Sequence, residues 1–393
     1  MKFGSVCSGI EAASVAWHPL GWEAAWLSEI EPFPCAVLKH HYPDVPNHGD
    51  MTLLPEKILS GEVEAPDLFC GGTPCQAFSV AGLRNSLDDA RGNLSLTFVG
   101  IANAIDHVRS VRRDAPAIIF WENVPGVLNT KDNAFGCFLG ALAGEIDQIV
   151  PSGDKWPNAG CVFGPKRTVA WRVLDAQYFG VAQRRRRVFV VASARYDINP
   201  TEILFEFEGV RRDTAPSREA GQRIAPCVTN GPPFSRTGNE RVEAEAMVVW
   251  PSEVAPTLTA DFGDKLGQNN QHIDSQKGGM FVPSLMQPTY ALQGNMIGRN
   301  DKAGPQGDGI NVELCFTQNT IDRHAVATPM AVRRLTPTEC ERLQGFPDCY
   351  TNIPWRKASE SPDGPRYKAL GNSWAVPVVR WIGKRIQEAI NAS

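Results

Sequence analysis

Residues 67–79 read DLFCGGTPCQAFS, and the rest of the chain is organised around this stretch. Asp67 to Cys70 is a short apolar strand. Gly71 and Gly72 let the backbone leave a sheet edge and pass close to a ligand, while Pro74 fixes the backbone ahead of Cys75 and so the aim of its thiol. A free cysteine is most often a small core residue; this one is presented at the mouth of a loop. Toward the N-terminus, Phe3 to Cys7 is a strand, Ser8-Gly9 a turn and Glu11 to Trp17 a helix, the order in which nucleotide-binding α/β domains begin. The fingerprint G-x-G-x-x-G is absent, and only Gly9 stands in the turn. The next strand, Glu23 to Leu27, ends in Ser28-Glu29, which sets a carboxylate where such folds bind ribose hydroxyls. Asp50, after a third short segment, offers a further acceptor at the same edge.

Toward the C-terminus a polar loop from Ala77 to Asn93 follows Cys75, long enough to act as a lid. Leu94, Phe98, Ile101, Ile105 and Val108 recur at helical spacing and form a buried face. Ala117 to Trp121 reads as a central strand, and Glu122 follows it into a crevice, where desolvation raises a carboxyl pKa. Phe135 to Ile149 reads as helix and Thr168 to Asp175 as strand. Then come Gln183 and four arginines, 184–187, ahead of the strand Val188 to Ala192. Period-two alternation sends Arg185 and Arg187 one way and Arg184 and Arg186 the other.

Around Ser193 the character changes. From Gly221 to His324, 28 of 104 residues are Gly, Asn or Gln, and helical periodicity gives way to short apolar runs between turn residues. Ile224–Thr229 faintly repeats as Val254–Thr259. Regular structure returns at Thr336-Pro337-Thr338-Glu339, a capping box with proline at the first helical position. The chain closes with Gly371-Asn372-Ser373 and a helix whose apolar face carries Val378, Ile382, Ile386 and Ile390.

Composition excludes several classes. The 39 Lys and Arg against 43 Asp and Glu leave no global basic footprint, so any phosphate contact comes from local placement. Residues 193–330 carry 12 basic against 17 acidic residues, so this region would meet DNA through a few arginines and many neutral amides. Ten cysteines without a C-x-x-C pair suit neither a zinc site nor a disulfide framework. No metal is expected, and the compartment reads as reducing and cytoplasmic. The N-terminus shows no signal segment, and no apolar run reaches the ~18 residues of a membrane span.

Taken in order, FGSVCSGIEAA, Glu29 and Asp50, GGTPCQAFS, WENV, QRRRR, RRLTPTECERLQGFPD and YKALGNSWAVP make the chain resemble the DNA (cytosine-5)-methyltransferases, bacterial or phage type, everywhere except about residues 195–328. The resemblance implies a doubly wound α/β domain with a mixed, mostly parallel sheet, in which a small, mostly β or irregular target-recognition domain is inserted. The expected layout is a catalytic domain at 1–192, target recognition at 193–330 and a return segment at 331–393 completing the catalytic domain. It further implies S-adenosylmethionine as cofactor and double-stranded DNA as substrate, with Cys75 as nucleophile and Glu122, Arg185 and Arg187 as its catalytic partners. The cofactor residues carried over are Cys7, Ser8, Gly9, Ile10, Glu29, Ile30, Asp50, Met51, Pro74, Asn372, Ser373 and Trp374. Gln76, Ser79 and Gln183 are placed at the substrate base and loop. A monomer is expected, and a cognate restriction endonuclease is a partner the resemblance leaves open.

Three departures stand against the family pattern: Glu11-Ala12 where glycines are common, Thr73 ahead of Pro74 where proline is common, and the unbroken arginines. Cys315-Phe316-Thr317 matches a tripeptide of a relative that methylates transfer RNA, which keeps an RNA substrate as an alternative. A silent DNA-binding scaffold is a second, and it would have no need of Cys75. A nucleotide-dependent redox enzyme on a similar fold is a third, and it leaves GGTPCQ and QRRRR unexplained.

Overall fold

The computed structural model describes residues 1–73, 94–206, 290–292, 310–312, 325–328 and 331–392. Seven strands form one sheet: β1 Lys2–Val6, β2 Glu23–Ser28, β3 Leu68–Gly71, β4 Ile118–Asn123, β5 Ala159–Phe163, β6 Thr168–Asp175 and β7 Arg186–Ser193, in the order β2-β1-β3-β4-β7-β6-β5. Neighbours from β2 to β4 are parallel, whereas β4/β7, β7/β6 and β6/β5 are antiparallel. The sheet is therefore mixed: most strands share one direction, while the pairings divide evenly. The chain starts at β1, steps outward to β2 and then crosses back to β3. That reversal beside β1 is the switch point at which open α/β sheets leave a crevice beyond their carboxyl ends.

Both faces of the sheet are covered, which explains its continuous apolar strands. Alternate residues enter opposite cores. Phe3, Cys70, Phe120 and Phe189 face one, and Val6, Phe69, Trp121 and Val190 face the other. The first core is closed by helices α1 (Ala12–Trp17), α6 (Pro200–Leu204) and α9 (Val376–Ala392); the second by α3 (Leu54–Leu59), α4 (Leu94–Arg112) and α5 (Ala134–Ala143). Further helices are α2 (Pro32–His41), α7 (Pro337–Gln344) and α8 (Asp363–Asn372). The closing helix packs on the opening one: the Trp17 indole donates to the Val379 carbonyl at 3.0 Å, and that of Trp22 to Gln387 Oε1 at 2.7 Å.

Several elements differ from the sequence expectation. The helix expected over Phe135 to Ile149 ends at Ala143, because Gly144 takes a left-handed φ of 89° and the chain doubles back so that Ile149 donates to the Gly136 carbonyl. Strand β4 runs on through Glu122 and Asn123. The third segment before Asp50 is a single bridge between Leu27 and Asn47. The Thr336 capping box is present in full, with Gly345 left-handed after α7.

Four short strands, β8 Tyr290–Leu292, β9 Ile310–Val312, β10 Ala325–Thr328 and β11 Ala331–Arg334, form a second sheet ordered β11-β10-β8-β9. By contacts the chain divides into one compact unit of Met1–Ala215, Tyr290–Ala327 and Ala331–Ser393, and another of Pro216–Thr289 and Thr328–Met330. Ile198, Ile203 and Leu204 are buried in the first core, so that core continues past Ser193, where the composition breaks. Among the described residues no helix is long and apolar enough to cross a membrane.

Trp17 is fully buried and joins the two ends of the chain. Trp17→Ala is expected to lower stability by about 3–5 kcal/mol, read as a shift of the urea midpoint, whereas Tyr196→Ala, at a fully exposed residue, changes it by no more than about 0.5 kcal/mol.

Candidate active site

A cleft of about 950 Å³ opens at the carboxyl ends of β1, β2, β3 and β4. Its walls are built by turns that need their residue types. At Gly71 an added Cβ would come within 2.8 Å of the Val6 carbonyl oxygen, and at Gly72 within 3.2 Å of Glu122 Oε2 and 3.0 Å of Trp374 Nε1. Gly71 is thus required for β3 to pass beside β1, while a side chain at Gly72 would need Trp374 and Glu122 to give way by a few tenths of an ångström. Thr73 then anchors the start of the following loop: its hydroxyl accepts from the Trp121 indole at 3.0 Å and lies 2.8 Å from Ser95 Oγ, and its carbonyl accepts from Asn123 Nδ2 at 2.9 Å. The threonine that departs from the family pattern is a fixed post ahead of Pro74.

On one wall stand the charged groups. Glu122 is buried, and its Oε1 pairs with Arg187 Nε at 3.0 Å. Burial raises the Glu122 carboxyl above its ordinary range, opposed by the Arg187 and Arg185 guanidiniums and by hydrogen bonds from Trp374 and Arg187. Arg185 is buried too, and its Nη2 donates to the carbonyls of Gly371 at 3.1 Å and Ser373 at 2.6 Å. Burial and Arg187 press the Arg185 pKa down while Glu122 opposes them; a guanidinium nonetheless stays protonated. The alternation read from the sequence holds. Arg185 and Arg187 line this cleft, and Arg184 and Arg186 line a separate one of about 520 Å³. Gln183 is fully buried beside them, and neither polar atom of its amide has a hydrogen-bond partner.

The other wall offers acceptors for a nucleoside. Glu29 Oε2 accepts from the Gly9 amide at 2.8 Å, and Oε1 from the Ile30 and Glu31 amides at 2.8 Å each. Of about four acceptor positions on a carboxylate, one remains. Asp50 Oδ1 accepts from the Thr52 amide at 2.9 Å. Ile30 and Met51 also line the cleft, and Ile30 is 72% exposed, an apolar surface poised for a planar ring. Cys7 lines it with its thiol pushed up to about 12 by burial and by Glu29, so it is not a thiolate at neutral pH.

The structure does not bring every expected residue to the cleft. Ile10 is fully buried in the core. Ser8 ties the β1 turn to β2, its hydroxyl bonding the Ser5 carbonyl at 3.0 Å and accepting from the Ser28 amide at 3.1 Å. Asn372 lines the cleft, whereas Ser373 and Trp374 line a crevice beside it. Pro74, Cys75, Gln76, Ser79, the rest of the Ala77–Asn93 loop, the Ile224–Thr229 repeat and the Cys315-Phe316-Thr317 tripeptide lie outside the described residues. Sequence reasoning missed Thr73, Asn123, Trp355 and Lys368 as residues of the site, and all four line the cleft. Thr73 carried a signal, its departure from proline; Trp355 carried none. Among the described residues no group of His, Cys, Asp and Glu is arranged to hold a metal ion.

A model of the C-5 cytosine-specific DNA methylase family matches residues 1–150 and 163–388. The DNA N-6-adenine-methyltransferase of Escherichia phage P1 is 44% identical over 470 residues, covering 99% of this chain and 61% of that protein. The chain thus spans less than two thirds of that relative's length. The type II methyltransferase M.HpaII of Haemophilus parainfluenzae is 28% identical over 397 residues, covering 99% of this chain and 89% of that protein. Among solved structures, the Entamoeba histolytica methyltransferase EhMeth shares the fold with a TM-score of 0.51 at 11% identity, over 99% of this chain and 98% of that one.

Thr73→Val keeps the shape and removes the hydroxyl that satisfies the buried Trp121 indole. The expected cost is about 1–3 kcal/mol, measured by urea unfolding, with Thr73→Ser restoring most of it.

Proposed function

The chain belongs to the C-5 cytosine-specific DNA methylase family, and on that premise we propose that it methylates C5 of a cytosine within a specific short sequence of double-stranded DNA. The observation that carries the reading is the pair of buried Glu122 with Arg187, beside Arg185, in the cleft that Thr73, two residues before Cys75 in the chain, also lines. The catalytic unit is assigned to 1–192, extended through α6, whose Ile203 and Leu204 pack in its core, with the return segment 331–393, and target recognition to the remainder of 193–330.

S-adenosylmethionine fits the site. The cleft is of the volume that holds a ligand of that size, Glu29 and Asp50 present acceptors for ribose hydroxyls, and Ile30 presents an apolar face. When bound, it supplies an electrophilic methyl group. Cytosine C5 is a weak nucleophile, so the thiolate of Cys75 adds first at C6 and makes the ring an enamine. Ring electrons move toward N3, where the Glu122 carboxyl, its protonated form favoured by burial, donates a hydrogen bond or a proton. Arg185, locked by two carbonyls, meets the O2 side of the base and offsets charge that develops there. Arg187 holds Glu122 in place. After transfer, loss of the C5 proton and departure of Cys75 restore the aromatic ring and release 5-methylcytosine. None of these groups reaches C6 inside a duplex, so the base swings out of the stack, and Gln183 with the loop residues Gln76 and Ser79 receives it.

A second reading, transfer to adenine N6, is favoured by the name of the phage P1 relative. Transfer to an amino nitrogen needs no thiolate adduct.

The test is base-resolution bisulfite sequencing of DNA from a methylation-deficient bacterial host expressing the chain, with a nucleoside digest of the same DNA analysed by mass spectrometry. The expected result is protected cytosines in one recurrent short context, lost in Cys75→Ala, which still binds DNA. N6-methyladenine without 5-methylcytosine would establish the second reading instead. In purified enzyme, Glu122→Gln is expected to lower kcat by about 10²- to 10⁴-fold.

A further inference from the structure

Glu11 has no part in the chemistry above, and it is held at a cost. It precedes α1 with φ 62° and ψ 60°, left-handed backbone that glycine adopts freely and a glutamate does not. The residue is 1% exposed. Its Oε1 accepts from the amide and the hydroxyl of Ser14, both at 3.2 Å, while Oε2 has no partner of hydrogen-bond geometry, the Ser5 hydroxyl being near enough to the carboxyl to favour its ionised form. Burial pushes the carboxyl up to about 7, although Ser5 and Ser14 lower it. A glycine here would carry neither the backbone strain nor the buried carboxyl. Strain and an orphaned buried acceptor at one residue mark a position whose gain comes from a bound partner.

The surroundings say what kind of partner. Glu11 lines a crevice of about 20 Å³ with Ser5, Gly9, Asn372, Ser373 and Trp374, room for about one water-sized group. Cys7, Gly9 and Asn372 line both this crevice and the large cleft, so the two adjoin at the β1 turn. No lysine or arginine is among the described residues that line it. An unpartnered carboxylate oxygen with no cationic side chain beside it suits a small cationic hydrogen-bond donor carried by a larger ligand in the adjoining cleft. S-adenosylmethionine carries such a group, the α-ammonium of its methionine end.

We propose that Glu11 Oε2 accepts the α-ammonium of the cofactor, which makes Glu11 a cofactor-binding residue where the family pattern has glycine. This rests on the methyltransferase reading. Because the ammonium prefers the ionised carboxylate, cofactor binding tightens as the pH rises from about 6 to about 7.5, through the Glu11 pKa. The other titratable groups facing Glu11 are the Glu29 carboxylate, the Cys7 and Cys70 thiols and the Tyr42 and Tyr350 hydroxyls. Burial pushes those thiols and phenols upward, away from this range. His41 stacks on Tyr350 and its pKa is lowered by burial, so His41→Gln serves as the control for the pH trend.

Calorimetric titration of the full chain tests the assignment. Wild type, Glu11→Gln and Glu11→Gly are each titrated with S-adenosylmethionine, with S-adenosylhomocysteine, and with 5′-methylthioadenosine, which lacks the amino-acid end. The expected result is that both variants weaken the first two ligands about ten- to a hundredfold, leave 5′-methylthioadenosine unchanged and abolish the pH trend, while Glu11→Gly melts no lower than wild type. Equal weakening of all three ligands, or no change in any, would overturn the assignment and leave Glu11 a brace for α1. Failure of the wild type to bind any of the three would instead remove the methyltransferase reading and this inference with it.

Discussion

A sheet covered on both faces leaves few places for polar chemistry. In β3 and β4 successive side chains enter opposite cores, so that Phe69 and Trp121 fill one and Cys70 and Phe120 the other. An ionisable group in the middle of such a strand would face a large desolvation penalty. Apart from Arg172 in β6, the charged side chains of the seven strands are confined to the strand ends, and the order of the strands decides which ends meet. Because β1 lies between β2 and β3, the Gly9 turn, Glu29 and the Gly71-Gly72 turn come out around one crevice. Antiparallel pairing of β7 with β4 sets Arg187, at the start of one strand, and Arg185, just ahead of it, beside Glu122 at the end of the other.

The site is closed by the last part of the chain. Helix α9 packs on α1, with Trp17 bonded to the Val379 carbonyl, and the junction before it supplies the Gly371 and Ser373 carbonyls that fix Arg185. A buried ion pair such as Glu122–Arg187 adds little net stability, because desolvation offsets attraction; losing one partner alone costs about 3–5 kcal/mol. Its retention at the mouth of a cleft is better explained by what the groups do to a bound base than by what they do for folding. A buried Arg366–Glu341 pair, bonded also to Thr351, has a different setting: neither residue lines the cleft, and the pair ties the α7–α8 segment together.

Much of this was legible in the sequence, and the reasons differ by residue. Thr168 to Asp175 was readable as a strand from its apolar run, and Thr336 as a helix start because a capping box is a local signal with a local cause. The arginine alternation was readable because strand periodicity is fixed at two. The end of α5 was not, since apolar spacing continues through Ile146 and Ile149, and only the left-handed Gly144 stops it. Ile10 adjoins the Gly9 turn in sequence, yet points into the core; adjacency does not reveal direction. The carbonyls that hold Arg185 come from 186 and 188 residues away, and no local pattern announces such a contact. Nor did composition reveal that Ile203 and Leu204 belong to the catalytic core.

The account turns on a covalent bond from Cys75 to cytosine C6, and trapping that bond tests it most directly. Duplex DNA substituted at random with 5-fluorocytosine keeps the addition step and blocks the last one, since fluorine at C5 does not leave as a proton would. After incubation with the enzyme and S-adenosylmethionine, nuclease digestion and peptide mass spectrometry, the account predicts a nucleotide adduct on the peptide that contains Cys75, absent in Cys75→Ala. Methylated product from ordinary DNA, with no adduct on that peptide from the fluorinated DNA, would contradict it.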